Sequence, residues 1–178
     1  MAARHLGALV ALATLLAGAM PAHAQHHSHG HMSGTPADGH LRAQACADEF
    51  DAVVRDGRGF GMAFAADQEG YPGPLHVLEL KDRLRLDAAQ EMRARALLQR
   101  MFDEARPKGA RLLDAEARLR RLFGAGTADP SAVRAAVAEV EQARTELRLV
   151  HLLAHLETRA LLTEAQRRAY HEARWPGR

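Results

Sequence analysis

Two five-residue stretches, LDAAQ at residues 86–90 and LTEAQ at residues 162–166, decide how this chain folds. In each, a side chain that accepts hydrogen bonds (Asp87 or Thr163) stands three residues before a glutamine, which is the pattern of a helix-capping box. The capping side chain accepts from a backbone N–H of the new helix, and the glutamine accepts from the backbone N–H of the capping residue. Each stretch therefore predicts the start of a helix.

The first box opens the longest predicted helix, which begins at Asp87 and runs to about residue 123. Its apolar side chains recur three and four residues apart and form a single stripe. Pro107 removes one helix hydrogen bond, but the stripe keeps its phase across it, which predicts a bend and not a break.

A second long helix is predicted from Pro130 to about residue 158, because Asp129 is an N-cap residue and proline suits the first helical position. Glycines at 124 and 126 separate the two long helices, so the second should fold back antiparallel on the first. The second box then begins a terminal helix that runs to about Arg174.

The paired boxes resemble the repeated Leu-Thr-x-x-Gln motif of the Spy/CpxP group of periplasmic helical proteins. The second box matches every fixed position, whereas the first carries Asp87 where the motif has threonine. The resemblance extends over roughly residues 57–175. The motif and capping positions are Leu86, Asp87, Gln90, Leu162, Thr163 and Gln166.

The predicted fold class is all-α, with four or five helices in an elongated hairpin. Shorter helical segments are expected over residues 45–56, 60–67 and 74–84, and no alternation of period two is long enough to predict a strand. A thin hairpin cannot cover its own apolar surface. The resemblance implies that a second copy covers it, in a cradle-shaped antiparallel homodimer.

The N-terminus divides into three predicted regions. Residues 1–24 have the basic start, apolar core and small-x-small end of a cleaved signal peptide, so we expect an exported, periplasmic chain that begins at Gln25. Residues 25–44 form a predicted flexible, histidine-rich tail, and residues 45–178 form one helical domain. No later stretch has the ~20 apolar residues of a membrane span.

Charge and motif content narrow the functional classes. Without the signal peptide, 23 basic side chains face 22 acidic ones, which gives no support to nucleic-acid binding. Neither a phosphate-binding loop nor a nucleophile or metalloprotease motif occurs in the sequence, so we expect a protein that is not an enzyme. Cys46 is the only cysteine; it either links two chains or stays buried or reduced.

The tail carries the first candidate metal site. If cleavage follows Ala24, the third residue of the mature chain is a histidine, and the amine, two amides and that imidazole form the four-nitrogen plane that Cu(II) and Ni(II) prefer. The alternative is nonspecific binding by a soft histidine tail. The candidate tail ligands are His26, His27, His29 and His31.

His151 and His155 form the second candidate metal site. They stand four residues apart on a predicted helix and so share one face. Two imidazoles can hold one Cu, Ni or Zn ion with a third ligand. The resemblance implies His, Glu and Met ligands, and Glu157 and Met101 are the candidates for that third ligand. The alternative is a pair of histidines packed at the edge of the core.

The third candidate site is a client-binding surface on the long helix. Basic and apolar side chains alternate there, a mixture that can capture an unfolded chain by charge and then by apolar contact. The alternative is an ordinary solvated helix. The residues are Arg93, Leu97, Arg100, Met101, Arg106, Lys108, Arg111 and Leu112.

The resemblance implies three candidate functions. The first is an ATP-independent periplasmic chaperone or envelope-stress protein that binds unfolded periplasmic proteins. The second is a periplasmic protein of metal binding, sensing or resistance that takes a Cu, Ni or Zn ion. The third is an inhibitory module that docks on a sensor kinase.

Overall fold

The computed structural model describes residues 36–177, and every regular element in that range is a helix. The all-α fold class predicted from the sequence is confirmed. The elements are α1 (Pro36–Arg55), α2 (Phe64–Gln68), α3 (Pro74–Glu79), α4 (Lys81–Leu84), α5 (Ala88–Gly124), α6 (Pro130–Leu161) and α7 (Glu164–Arg174).

Helices α5 and α6 form an antiparallel hairpin. Ion pairs join them, and the partners step in opposite directions along the two helices: Arg100 with Glu157 at 2.7 Å, Arg111 with Glu146 at 3.0 Å, and Arg118 with Glu139 at 3.1 Å. Exposed pairs of this kind add little stability. They do record the register of the hairpin, which places the two histidines of α6 opposite the first half of α5.

The hairpin encloses the larger of two apolar clusters, here called the hairpin cluster. Leu112 and Leu147 are completely buried in it, as are Ala105 of α5 and Val54 of α1. The remaining buried members are Met101, Ala115, Val140, Ala143, Val150 and Ala154. Helix α5 continues through Pro107, as the unbroken phase of its stripe predicted.

Both capping boxes form as the sequence predicts. Asp87 accepts from the Gln90 backbone N–H at 2.7 Å, Thr163 accepts from the Gln166 backbone N–H at 3.3 Å, and each glutamine side chain accepts in return from its capping residue. The two glutamines also bond each other: each Nε2 donates to the other's Oε1, at 2.8 and 2.9 Å. The boxes therefore tie the start of α5 to the start of α7.

The smaller apolar cluster, here called the terminal cluster, lies beneath α7. Its buried members come from four places in the chain: Val77 of α3, Leu84 of α4, Leu162 before α7 and Tyr170 on it. Tyr170 is completely buried, so α7 is packed onto α3 and α4 by one large side chain.

Two sequence predictions need correction. Helix α1 begins at Pro36, so residues 36–44, which were expected in the flexible tail, are helical. Proline suits the first position of a helix, and the carboxylate of Asp38 in the first turn stabilises the free N–H groups there. The single helix expected over residues 74–84 is two, because Leu80 leaves helical geometry between α3 and α4. With α2, this gives seven helical segments within residues 36–177 and not four or five.

Helix α1 crosses α5 at a glycine. A Cβ built on Gly109 would lie only 2.7 Å from the Val54 carbonyl oxygen, so the two backbones touch where any larger residue would separate them.

Cys46 is exposed on α1, which excludes the buried alternative for its thiol. Within residues 36–177, no helix combines the length and the apolar character needed to cross a membrane.

Candidate functional site

His151 and His155 lie on the buried side of α6, each less than one-tenth exposed. The Nδ1 of His151 is 3.0 Å from the Leu147 carbonyl oxygen of its own helix, and its Nε2 is 3.2 Å from the Gly57 carbonyl oxygen. A neutral imidazole carries one N–H and so donates to only one of these two carbonyls at a time. The ring is therefore held between α6 and the segment that follows α1.

His155 makes a polar contact through Nδ1, which lies 2.6 Å from the Tyr71 carbonyl oxygen. That carbonyl needs a donor, so Nδ1 carries the proton and Nε2 keeps its lone pair. Burial lowers the pKa of His155, although the hydrogen bond to Tyr71 opposes the shift. The imidazole is thus neutral at neutral pH, which is the form that binds metal ions.

Two glycines allow the chain to press against these rings. A Cβ on Gly59 would lie 2.7 Å from the His151 ring, and a Cβ on Gly73 would lie 2.7 Å from His155 Nε2. Gly73 has φ −80° and ψ 156°, which any residue can adopt, so it is the close approach that requires glycine there. We call residues 57–73, which carry both glycines and both carbonyls, the strap.

The strap, α3, α5, α6 and α7 line a cavity of about 380 Å³ that is partly open to solvent. Both histidines line it, together with Met62 and Met101. Charged or titratable side chains at its wall are Arg58, Asp67, His76, Glu79 and Arg174. The cavity thus brings imidazole and thioether donors to one place.

The donor set fits a soft metal ion better than a hard one. Within residues 36–177, no three side chains of His, Cys, Asp or Glu are grouped closely enough to hold an ion. Two imidazoles with methionine sulfur are the ligands that suit copper, Cu(I) above all. Of the two further ligands considered from the sequence, Met101 lines the cavity, whereas Glu157 pairs with Arg100 in a groove elsewhere on the hairpin.

A partly buried polar network that the sequence did not predict borders the cavity. The Tyr170 hydroxyl donates to the Asp67 carboxylate, which also accepts from Arg174 Nε at 3.1 Å. Burial raises the pKa of Tyr170, and the hydrogen bond to Asp67 raises it further. Arg174 in turn lies 3.3 Å from His76 Nε2. The sequence signal for this network is Asp67, an acidic residue that follows an apolar stretch.

The predicted client-binding surface is only partly available. Leu97, Met101 and Leu112 are buried, because the stripe they belong to is the one that packs α5 against α6. Arg93, Arg100, Arg106 and Arg111 are exposed as expected, and Lys108 is half-buried. Two of these arginines are paired across the hairpin, and Arg106 lies over the Phe102 ring at 5.2 Å.

A row of exposed apolar side chains lies on α6 instead. Leu149, Leu153 and Leu156 are each about half exposed, at 50%, 53% and 52%, and recur at helical spacing. Leu149 and Leu153 border a groove of about 350 Å³ between α5 and α6, whose floor includes Leu97 and Met101. Arg100, Glu104, Lys108, Glu146 and Glu157 surround this groove.

A model of the family described as heavy-metal resistance matches residues 59–169 of the chain. The chain belongs to this heavy-metal resistance family. The family stands in the Spy/CpxP-like group, so the resemblance predicted from the capping boxes is confirmed. No curated protein and no solved structure matches the chain.

The matched range of this heavy-metal resistance protein begins in the strap and ends in α7, so it contains most of the residues that line the cavity, both histidines and both capping boxes. The tail candidates His26, His27, His29 and His31 lie outside the described residues, as does the predicted signal peptide at residues 1–24. Of the histidines placed by the sequence in a candidate metal site, His151 and His155 are therefore the two whose surroundings are described.

Proposed function

We propose that this heavy-metal resistance protein acts in the periplasm and binds a soft metal ion, copper before nickel or zinc, at His151 and His155. The observation that supports this most is His155 itself. Its Nδ1 is fixed by a backbone carbonyl, which leaves the lone pair on Nε2, and the residue lines a cavity together with a second histidine and two methionines. A fixed tautomer with the opposite nitrogen available is how proteins prepare histidine ligands.

A copper titration of the full mature chain tests this proposal. The background carries Cys46→Ser and alanine at His26, His27, His29 and His31, so that the thiol and the tail do not compete for the ion. Cu(I) should bind with a stoichiometry of one. His155→Gln, or Met101→Leu, should weaken binding by more than about tenfold, the cost that even the outer contacts of a metal site carry.

The matched control is His40→Gln, which removes an exposed imidazole on α1, away from the cavity. It should leave the affinity for Cu(I) unchanged. If His155→Gln and His151→Gln bind Cu(I) as tightly as the background protein, the proposal is wrong for the folded domain.

The tail remains a separate proposed site with a different ion and geometry. A mature chain that begins at Gln25 would hold Cu(II) in a plane of four nitrogens, of which His27 supplies one. His27→Ala should remove the tetragonal copper spectrum, and His151→Ala should leave it intact. An unchanged spectrum in the His27→Ala protein with a free N-terminal amine would contradict the planar site.

A second proposed function, binding of unfolded periplasmic proteins without ATP, is supported by the groove on the hairpin. Its half-exposed leucines are surrounded by both signs of charge, a surface suited to loose capture. A second copy of the chain, in the proposed antiparallel homodimer, could cover the same leucines, and light scattering distinguishes a monomer from a dimer.

Suppression of client aggregation in the absence of nucleotide tests this second function. Leu149→Ser with Leu153→Ser should abolish suppression. Val137→Ser is the matched control, because Val137 is an exposed apolar residue of α6 that does not line the groove. Equal suppression by the two proteins would exclude the groove as the client site.

A further inference from the structure

The turn that joins α5 to α6 closes the end of the hairpin that lies away from the cavity. Helix α6 begins at Pro130 and reaches His155 only after about 37 Å along its axis. We call residues 120–137, which comprise the end of α5, the turn and the start of α6, the hairpin tip. No residue of the hairpin tip is buried.

The positive charges of the hairpin tip are not balanced by carboxylates. Towards the tip, the last ion pair that joins α5 to α6 is Arg118 with Glu139. Beyond it lie three arginines, none of which takes part in an ion pair within residues 36–177: Arg120, Arg121 and Arg134. Arg134 donates to the Pro130 carbonyl oxygen at 3.2 Å, but a neutral carbonyl does not compensate its charge.

The acidic residues closest to these arginines have other partners. Asp129 is the only acidic residue of the hairpin tip, and its carboxylate accepts from two backbone N–H groups at the start of α6, at 2.8 and 3.1 Å. The positive end of the helix dipole offsets its charge there. Glu116, one turn before Arg120, pairs with Arg144 at 3.0 Å. An anion that approaches the tip therefore meets arginines whose charge is free to attract it.

Apolar side chains are exposed between these charges. Phe123 is 60% exposed and Val137 is 42% exposed. The turn itself consists of small residues, and a Cβ built on Gly124 or Gly126 would meet no atom of another part of the chain within 4 Å. The turn therefore places no large side chain between the Phe123 ring and a surface that approaches the tip end-on.

We propose that the hairpin tip docks end-on on a bilayer surface that carries anionic phospholipids. Lipid phosphates attract the three arginines, and the Phe123 ring enters the boundary between headgroups and acyl chains, where interfacial proteins bury apolar side chains. This docking does not depend on the proposed metal site.

Two other anionic partners fit the hairpin tip less well. A protein partner binds through anchoring residues in desolvated pockets, and a tip without buried residues offers none. A single-stranded nucleic acid binds by stacking successive bases on aromatic side chains, whereas the tip has one aromatic ring, Phe123. A bilayer needs neither a pocket nor a row of aromatic rings.

Sedimentation of the full mature chain with lipid vesicles tests the proposal. Vesicles of equal parts phosphatidylglycerol and phosphatidylcholine should bind the protein at least about tenfold more tightly than vesicles of phosphatidylcholine alone. Added salt should weaken this binding, because it screens exposed charges. Equal binding to the two kinds of vesicle, or binding to neither, would overturn the proposal.

Arginine variants locate the contact on the molecule. Arg121→Gln should weaken binding to the phosphatidylglycerol vesicles about fivefold, and replacement of all three tip arginines by glutamine about a hundredfold. The matched control is Arg93→Gln, at an exposed arginine near the other end of α5, which should leave binding unchanged. If Arg93→Gln weakens binding as much as Arg121→Gln, the net charge of the protein and not the hairpin tip is responsible, and the proposal is wrong.

The apolar part of the contact has its own pair of variants. Phe123→Ser should weaken vesicle binding about tenfold, because the ring no longer leaves water. Leu149→Ser, at a half-exposed leucine of the groove, should have no effect. Equal losses from the two variants would assign the contact to exposed apolar surface in general and contradict docking by the tip.

A fluorescent reporter distinguishes a bilayer from other polyanions. Phe123→Trp in a Trp175→Phe background carries a single indole, at the hairpin tip. Its emission should shift to shorter wavelength with phosphatidylglycerol vesicles, as the ring enters the bilayer interface, and should not shift with a DNA duplex. If the duplex binds the protein as tightly as the vesicles do, or if the vesicles bind without the shift, the tip binds anions in general and the proposal is overturned.

Discussion

The two apolar clusters of this protein are held together in different ways. The hairpin cluster joins α1, α5 and α6 through ten buried apolar residues. The terminal cluster has four, and its surroundings are polar: the Tyr170–Asp67–Arg174 network on one side and the paired glutamines of the capping boxes on the other. Apolar area stabilises the first, whereas satisfied hydrogen bonds determine which helices meet in the second.

The strongest test of this contrast is a cavity in the hairpin cluster. Leu147 is completely buried, so Leu147→Ala should lower the free energy of unfolding by about 3 kcal/mol, measured by urea denaturation. Leu149→Ala, two residues along the same helix and half exposed, is the control and should change it by less than about 0.5 kcal/mol. Equal losses from the two variants would mean that Leu149 is covered in solution.

Gly109→Ala should destabilise the same cluster by overpacking it. In an open helix interior this change stabilises by about 1 kcal/mol. Here the new methyl group would meet the Val54 carbonyl oxygen at 2.7 Å, so we expect a loss of about 2 kcal/mol as α1 is pushed from α5. Gain of stability in the urea curve would show that α1 does not pack at this crossing.

Tyr170→Phe should weaken the terminal cluster by about 1.5 kcal/mol at neutral pH. The substitution keeps the apolar ring but leaves the buried Asp67 carboxylate without one of its donors. Phe123→Leu, at an exposed ring on α5, is a control on an aromatic side chain outside both clusters and should cost less than about 0.5 kcal/mol.

The same variant should also change the pH dependence of stability in alkali. Burial raises the pKa of Tyr170, so above about pH 10 the unfolded chain has released a proton that the folded chain keeps. Stability of the wild type should therefore fall as pH rises through this range, and Tyr170→Phe should reduce the slope. If stability falls with pH at the same slope in both proteins, the group that ionises is not Tyr170.

The smallest expected effect concerns the glutamine pair. A double-mutant cycle of Gln90→Ala and Gln166→Ala should give a coupling free energy of about 1 kcal/mol, because the two side chains exchange hydrogen bonds. A cycle of Gln90→Ala with Gln142→Ala, an exposed residue of α6, should be additive. If the losses from Gln90→Ala and Gln166→Ala simply add, the two boxes act as independent helix caps.

The features predicted from the sequence are those that depend on near neighbours. The capping boxes and the starts of α5, α6 and α7 follow from residues at most four positions apart, and they were predicted correctly. The surroundings of the histidines were not predictable in this way, because Gly57 meets a residue 94 positions away and Tyr71 one 84 positions away. The spacing of His151 and His155 identified the site but not what covers it.

The prediction that Leu97 and Leu112 belong to an exposed client-binding surface was wrong for a related reason. An apolar stripe flanked by arginines has the same pattern whether it packs against a neighbouring helix or faces solvent. The register of the hairpin determines which side chains are buried. It places Leu97 and Leu112 inside and leaves Leu149, Leu153 and Leu156 exposed. The helix α1 was missed at its start because histidine and glycine near Pro36 outweighed the helix formers that follow.

The paired glutamines also set an order of events during synthesis. Gln90 leaves the ribosome 76 residues before Gln166, and until then its amide has no partner in the second box. The hairpin cluster needs nothing beyond α6, so it can assemble while the terminal cluster still lacks Tyr170. Helix α7, made after α1 to α6, therefore completes the terminal cluster, and a chain that stalls before residue 162 would expose the apolar side chains that α7 covers.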